Sequence, residues 1–308
     1  ISKAFDTVNH KMLSKLEHYG IRGTSLQWFT SYLTNRKQYV EIEGKFSSLK
    51  LITSGVPQGS CLGPLLFLLY INDLPNSSNI LNFYLFADDT HIYYNSNSLV
   101  NIEKTVNKEL RHINDWLIVN RLALNITKTN FVIFHPFNKP VTKSITLKFR
   151  KNAIRESKSV KYLGILIDST LSWFDHIDKT TKTISRLNGI LYKIRPFVTK
   201  NILIMLYNSL ILPHLTYGVE VWGSASATKI NRILLIQKRT VRMITRNDHR
   251  LENYAYPSSQ RIFYALKILR IQEILFFSLS KFVYKVLNRT TPSNFHDWFK
   301  EISQIHSY

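Results

Sequence analysis

The amino-acid sequence predicts an α+β front and an all-α back, with the change near residue 170. Three patterns carry this. Apolar residues flank Ala87-Asp88-Asp89-Thr90 on both sides, as in two strands joined by a tight turn. Ile102, Val106, Leu110, Ile113 and Leu117 recur every three or four residues, the period of an amphipathic helix. From Asp175 onward the pattern is helical throughout.

In chain order, residues 11–19 set Met12, Leu13, Leu16 and Tyr19 on one face and stop at Gly20, a helix with a C-terminal glycine. Residues 25–33 read as a second helix. Residues 38–43 and 50–53 alternate around Glu43-Gly44-Lys45, so a hairpin is expected there. A loop over 54–60 leads into an apolar helix at 65–71, closed by Asn72-Asp73-Leu74-Pro75. Strands are expected at 83–86 and 91–94, and further short ones at 131–134, 145–149 and 160–167. Ile177, Ile184, Leu187 and Leu191 fit one helix, broken near Pro196. Residues 202–212 fit a second, 230–244 a basic third, and 264–287 a last helix or pair of helices.

The chain has 308 residues, 44% of them hydrophobic and 13% aromatic, enough for a real core. No apolar run reaches the roughly 18 residues a membrane span needs. Cys61 is the single cysteine, which excludes an internal disulfide and a cysteine-based zinc site, and fits a reducing, intracellular setting without a disulfide-linked partner. The first residue is Ile rather than Met, as expected for part of something longer. Forty-one Lys and Arg against 20 Asp and Glu give a net charge of +21. Residues 1–150 carry 17 against 10, and residues 151–308 carry 24 against 10. Such an excess suits a polyanionic partner, because neutralised phosphates release counterions. Charge alone would equally serve solubility or an acidic membrane surface.

Asp88 and Asp89 are the chemical candidates. Adjacent carboxylates at a hairpin tip repel each other, and a cation between them removes that cost. Magnesium prefers hard oxygen donors and substrate phosphates, and two such ions roughly 3.5–4 Å apart can serve phosphoryl transfer. Taken alone, an Asp-Asp pair between strands is also an ordinary acidic turn.

The surrounding segments narrow this. Ser54-Gly55-Val56-Pro57-Gln58-Gly59-Ser60, with Gly63-Pro64-Leu65-Leu66-Phe67 just after it, resembles motif B of reverse transcriptases, and Phe86-Ala87-Asp88-Asp89 resembles motif C. Ser2-Lys3-Ala4-Phe5-Asp6-Thr7-Val8-Asn9-His10 resembles the tail of motif A. Asn125-Ile126-Thr127-Lys128-Thr129 resembles motif D, and Lys161-Tyr162-Leu163-Gly164-Ile165 resembles motif E, the primer grip. Five segments in the right order are far more specific than any one of them. Pro213-His214-Leu215-Thr216-Tyr217-Gly218 with Trp222 is similar to the jockey and CR1-like branch of non-LTR retrotransposons, and speaks against a group II intron maturase.

The resemblance implies a right-hand polymerase palm, an antiparallel sheet with helices, over residues 1–170 with the fingers missing. A thumb-like helical region over 171–250 and a C-terminal helical region over 251–308 follow. It implies RNA-directed DNA synthesis from deoxynucleotides with magnesium (manganese as an alternative), on an RNA template with a DNA primer. Endonuclease and fingers segments would lie in the full-length protein, no membrane would be involved, and the site of action would be the nucleus.

By the same resemblance Asp88 and Asp89 are catalytic metal ligands and Lys128 is a general acid. Phe5 is the steric gate against a ribose 2′-hydroxyl. Gly55, Pro57, Gln58 and Gly59 bind the incoming nucleotide, and Tyr162, Leu163 and Gly164 press on the primer end. Each has a plainer reading: Phe5 as a core residue on a short strand, the glycines as a simple turn, Lys128 as a solvated side chain, and residues 162–164 as a strand beside the core.

The resemblance breaks at motif A. Its metal-binding aspartate would stand just before Ile1, and Asp6 lies six positions later, about 20 Å along an extended strand. Asp6 is therefore read as a structural partner or a helix N-cap, and this fragment alone is expected to polymerise poorly. The alternative function is a non-catalytic retroelement relic that keeps at most nucleic-acid binding. In the back third, Arg232, Arg239, Arg242 and Arg246 lie along an apolar stripe and are candidates for phosphate contacts. His176, His214, His249 and His296 show no metal-ligand spacing.

Overall fold

The structure is a computed structural model, and it describes residues 4–10, 12–57, 59–141, 143–245 and 259–299. Gln58, Arg246 and His249 lie outside the described residues. The chain divides into two compact units, Ile1–Phe131 with Pro140–Ser157, and Val132–Lys139 with Lys158–Tyr308.

Among the described residues the first unit has five α-helices: α1 (Ala4–Thr7), α2 (Met12–His18), α3 (Gly23–Leu33), α4 (Leu62–Ile71) and α5 (Leu99–Val119). Met12 and Leu16 of α2, Leu66, Phe67, Tyr70 and Ile71 of α4, and Leu110, Ile113 and Leu117 of α5 are buried, as their spacing requires. Lys15 ties α2 to the end of α4. Its Nζ donates to Tyr70 O at 2.9 Å and to Asp73 Oδ1 at 2.7 Å, and lies over the Tyr70 and Trp116 rings at 4.9 and 5.2 Å. Ala4–Thr7 is helical, so Phe5 and Asp6 sit on a helical turn and not on the strand expected from the sequence.

The strands of this unit pair two by two. β1 (Lys37–Gln38) pairs with β4 (Lys50–Leu51), and nested inside them β2 (Glu41–Ile42) pairs with β3 (Lys45–Phe46). The turn between β2 and β3 is Glu43–Gly44, both at positive φ (49° and 75°), the twist a tight hairpin needs. β5 (Asn82–Phe86) pairs with β6 (Asp89–Tyr93), β8 (Lys148–Phe149) with β9 (Asn152–Ala153), and β7 (Asn130–Phe131) runs parallel to β10 (Arg155–Glu156). Among the described residues of this unit the antiparallel sheet expected from the resemblance is present as two-stranded pieces, antiparallel except for β7–β10. Side chains of α5 take backbone groups that a wider sheet would have paired. Glu103 Oε1 accepts from Thr146 N at 3.1 Å, Asn107 Oδ1 accepts from Lys148 N at 2.7 Å, and Asn107 Nδ2 donates to Thr146 O at 2.9 Å.

A backbone crossing joins the front of the unit to the 54–60 loop. Gly55 N donates to Val8 O at 2.7 Å, Val56 N donates to Phe5 O at 2.8 Å, and Asn9 bridges Ser54. Gly55 has φ +89°, and a Cβ there would stand 3.0 Å from the Asp6 carbonyl oxygen. Only glycine fits, because backbone meets backbone.

The second unit opens with a hairpin, β11 (Ser159–Tyr162) and β12 (Ile165–Asp168). The sequence suggests one strand over 160–167; the chain instead reverses at Leu163–Gly164, where φ is 43° and 92°. Asp168 then builds the turn into α6 (Phe174–Ile194): its Oδ1 accepts from Thr170 Oγ1 at 2.7 Å and from Ser172 N at 2.9 Å. Burial pushes this carboxyl up, but the hydrogen bonds from Ser172, Thr170 and Trp173 outweigh it and hold it below the usual aspartate value.

Helix α7 (Lys200–Leu206) runs through a π-turn (Tyr207–Ile211) into α8 (Leu212–Thr216). Pro213 explains the widened turn, since it has no N–H to continue the α-helical ladder. α9 (Val219–Trp222), α10 (Ala227–Thr245), α11 (Ser259–Leu266) and α12 (Ile271–Leu287) complete the unit. Ile177, Ile184, Leu203, Tyr207, Trp222, Ile233 and Ile271 lie in one fully buried cluster. Gln237 sits in that cluster, hydrogen-bonded on every side. Its Nε2 donates to Tyr207 Oη at 2.9 Å and to Leu269 O at 2.8 Å, and its Oε1 accepts from Ile271 N at 3.0 Å. Burial pushes the Tyr207 phenol up to about 12, against the pull of the Gln237 bond.

Three outcomes follow from this packing. Gln237→Leu strands three buried polar groups and should cost about 3 kcal/mol in urea unfolding. Gly55→Ala combines a left-handed backbone with a backbone clash and should cost at least about 2 kcal/mol. The third concerns His176, whose Nδ1 accepts from Leu166 N at 3.4 Å and must be unprotonated to do so. Burial, with Lys179 nearby, holds its pKa below the ordinary 6.5. The unfolded chain therefore binds the proton first. Stability from this group is complete above pH 6.5 and is lost as the pH falls toward the folded value. Urea midpoints measured across this range should fall with pH in the wild type and fall less in His176→Gln.

Candidate active site

The β5–β6 hairpin carries the paired carboxylates. Phe86 pairs with Asp89, so Ala87 and Asp88 alone make the turn. Ala87 holds φ +50°, a left-handed conformation that costs a non-glycine residue roughly 1–2 kcal/mol. Along β5 the pattern alternates, with Phe83 and Leu85 half-buried and Tyr84 and Phe86 exposed. This alternation anchors the strand and lifts the tip into solvent, where Asp88 and Asp89 are both exposed. His91 lies two residues beyond Asp89 on the same strand face. Burial lowers its pKa, and the Asp89 charge pulls the other way.

Local composition reinforces the carboxylates. Residues 51–103 contain no Lys or Arg, in a chain of net charge +21, yet they include Asp73, Asp88, Asp89 and Glu103. No protein cation from this stretch competes for the pair. Oxygen donors without a lysine or arginine partner suit a hard divalent ion. The donor set is incomplete, however: among the described residues no three His, Cys, Asp or Glu side chains come together in a group able to hold a metal.

The structure brings Phe5 to the 54–60 loop through the backbone crossing. The Phe5 ring is half-buried and packs on the buried Phe67 ring at 5.2 Å. His10 Nε2 adds a contact of 2.9 Å to Gly55 O. Pro57 O accepts from Ser60 Oγ at 2.7 Å, and the same Oγ accepts from Gly63 N at 3.0 Å at the start of α4. A Cβ on Gly63 would stand 2.9 Å from Pro57 O, so the loop closes directly on the helix. Gly59 is exposed at φ +79°. Gln58, the central residue of this segment, is outside the described residues.

Lys128 is exposed on a turn organised by Asn125, whose Oδ1 accepts from Thr127 Oγ1 at 2.7 Å and whose O accepts from Thr129 Oγ1 at 2.8 Å. Asp6 lies within α1, with its backbone beneath Gly55. Phe5, Gly55, Pro57, Gly59, Asp88, Asp89 and Lys128 all belong to the first unit, whereas Tyr162, Leu163 and Gly164 form the hairpin tip of the second. On α10, Arg239 and Arg242 are exposed, but Arg232 is already engaged, 3.2 Å from Asp178 and over the Phe174 ring. Sequence reasoning missed the strained Ala87 and the His10 contact. A left-handed alanine leaves no mark in composition, and a contact across 45 residues leaves none in local pattern.

Comparison with known proteins shows the family. Residues 1–167 match the family described as reverse transcriptase (RNA-dependent DNA polymerase). The chain is 26% identical over 256 residues to the RNA-directed DNA polymerase from mobile element jockey of Drosophila funebris, covering 80% of this chain and 28% of that protein. It is 29% identical over 264 residues to a probable RNA-directed DNA polymerase from transposon BS of Drosophila melanogaster, with the same coverage. A probable polymerase from transposon X-element of that organism is 28% identical over 260 residues, covering 80% of this chain and 27% of the relative. The chain thus spans little more than a quarter of the length of these curated relatives. A segment order read from residues 2–165, a hairpin that presents two carboxylates, and a family match over more than half the chain agree: the chain belongs to the reverse transcriptase (RNA-dependent DNA polymerase) family.

Proposed function

We infer that this chain supplies the carboxylate hairpin and nucleotide-facing loop of an RNA-directed DNA polymerase of a non-LTR retrotransposon, one that extends a DNA primer on an RNA template with deoxynucleotides. The observation that carries this is the Asp88–Asp89 pair at a tight hairpin tip, Asp88 in the turn after the strained Ala87 and Asp89 opening β6, within a stretch free of lysine and arginine. Strain kept at a solvent-exposed tip is understandable where the tip itself does the work.

In this reading Asp88 and Asp89 hold magnesium or manganese, which when bound supplies positive charge against the phosphates of the incoming nucleotide. The remaining roles fall to the chain's own residues. Phe5, fixed against Phe67, limits the space at the sugar. Gly55, Pro57, Gln58 and Gly59 line the nucleotide, and the Gly55 crossing holds that loop to Phe5. Lys128, exposed on its turn, gives a proton to departing pyrophosphate. Residues 1–170 serve as the palm, the helices over 171–250 as the thumb, and 251–308 as a C-terminal helical region. Arg239 and Arg242 of α10 are available to the phosphates of a template–primer duplex. Two carboxylates make part of a two-metal site, so the 308-residue chain alone binds metal weakly and extends primers poorly.

Manganese, which broadens nearby NMR signals, tests the site without requiring turnover. Broadening should centre on Asp88 and Asp89, and Asp88→Asn should weaken manganese binding about ten-fold, near 1.4 kcal/mol. Broadening centred elsewhere would remove the site. Templated extension by the isolated chain, abolished by Asp88→Ala, would show that two carboxylates suffice and would overturn the expected inactivity.

A further inference from the structure

The segment that follows α8 interlocks with the tip of the β11–β12 hairpin. Tyr217 Oη donates a hydrogen bond of 2.5 Å to Leu163 O. The Tyr217 ring lies on Gly164, where an added Cβ would stand 3.3 Å from Cε1. The fit is reciprocal, since a Cβ on Gly218 would stand 2.4 Å from Ile165 Cδ1. Each glycine thus leaves room for the other segment's side chain.

The brace is itself anchored in the core. Trp222 Nε1 donates to Tyr217 O at 2.9 Å, and the Trp222 side chain is fully buried. The His176 ring packs on Trp222 at 5.5 Å, and its Nδ1 accepts from Leu166 N on β12. Tyr217, by contrast, is 58% exposed, so burial of its ring does not explain its position. Its hydroxyl bonds the carbonyl of Leu163, a non-glycine residue held at φ +43°. A two-residue tip with a left-handed leucine would otherwise be free to relax or fray.

We propose that Tyr217 is a positioning residue that fixes the Tyr162-Leu163-Gly164 turn so that a primer 3′ end can bear on it. This rests on the polymerase reading above, in which that turn is the primer grip. Tyr217 acts through the turn and needs no contact with reacting atoms.

Tyr217→Phe in the 308-residue chain keeps the ring and removes only the hydroxyl. Hydrogen exchange at the amides of residues 159–168 should accelerate roughly ten-fold at the tip, with exchange in α6 unchanged. The dissociation constant for an RNA–DNA duplex with a recessed DNA 3′ end should rise about five-fold, while that for single-stranded DNA stays the same. A purely structural role would move stability without separating these two ligands. Unchanged tip exchange overturns the brace. Faster exchange with unaltered discrimination between duplex and single strand overturns its role at the primer. If the wild-type chain shows no preference for the recessed duplex, the polymerase reading fails, and the brace is then decided by exchange alone.

Discussion

Much of the first unit depends on a backbone crossing in which Gly55 passes over Asp6. Three consecutive residues, Ser54, Gly55 and Val56, are tied to Asn9, Val8 and Phe5, across nearly fifty residues of chain. The loop that would face a nucleotide is thereby fixed to the ring that would face its sugar. Hydrogen bonds alone would not secure this, since each contributes only about 1 kcal/mol net. What makes the crossing specific is steric: any side chain at Gly55 would meet the Asp6 carbonyl, and Phe5 is already committed to Phe67. The loop continues into α4 by the same device, with Gly63 closing on Pro57 and Ser60 capping the first turn.

The second unit repeats this economy with different parts. A glycine in the β11–β12 turn and a glycine after α8 let two loops lie in each other's hollows, and the tyrosine between them closes the contact. Behind it Trp222 and His176 connect the interlock to α6, and Gln237 joins the π-turn to the start of α12. The buried Gln237 is paired to both elements it joins, which gives the bundle register as well as stability.

Charge divides along the same lines. Basic residues are abundant, but none occurs from 51 to 103, where the carboxylate hairpin sits. The most basic helix, α10, spends Arg232 on Asp178 and leaves Arg239 and Arg242 exposed. Exposed arginines on α10 and a hairpin with paired carboxylates are thus separate features of one chain. Family membership makes that combination intelligible.

The amino-acid sequence by itself determined the helices whose burial period is long and clean, α5 and α6, and the hairpin around Ala87 and Asp88, because local pattern dictates each of them. It also determined the family, through the order of short segments that carry chemistry. Tertiary structure alone decided the rest. Residues 4–7 coil instead of extending, and the 54–56 loop bonds to the carbonyls of Phe5 and Val8 across this turn. Beside β8, Glu103 and Asn107 of α5 satisfy backbone groups of Thr146 and Lys148. Residues 160–167, legible as one apolar strand, fold back at Leu163–Gly164, where Tyr217 waits more than fifty residues later. Local periodicity reports which face of an element is apolar; it is silent about which distant group will satisfy a carbonyl, and that is where this chain places its turns.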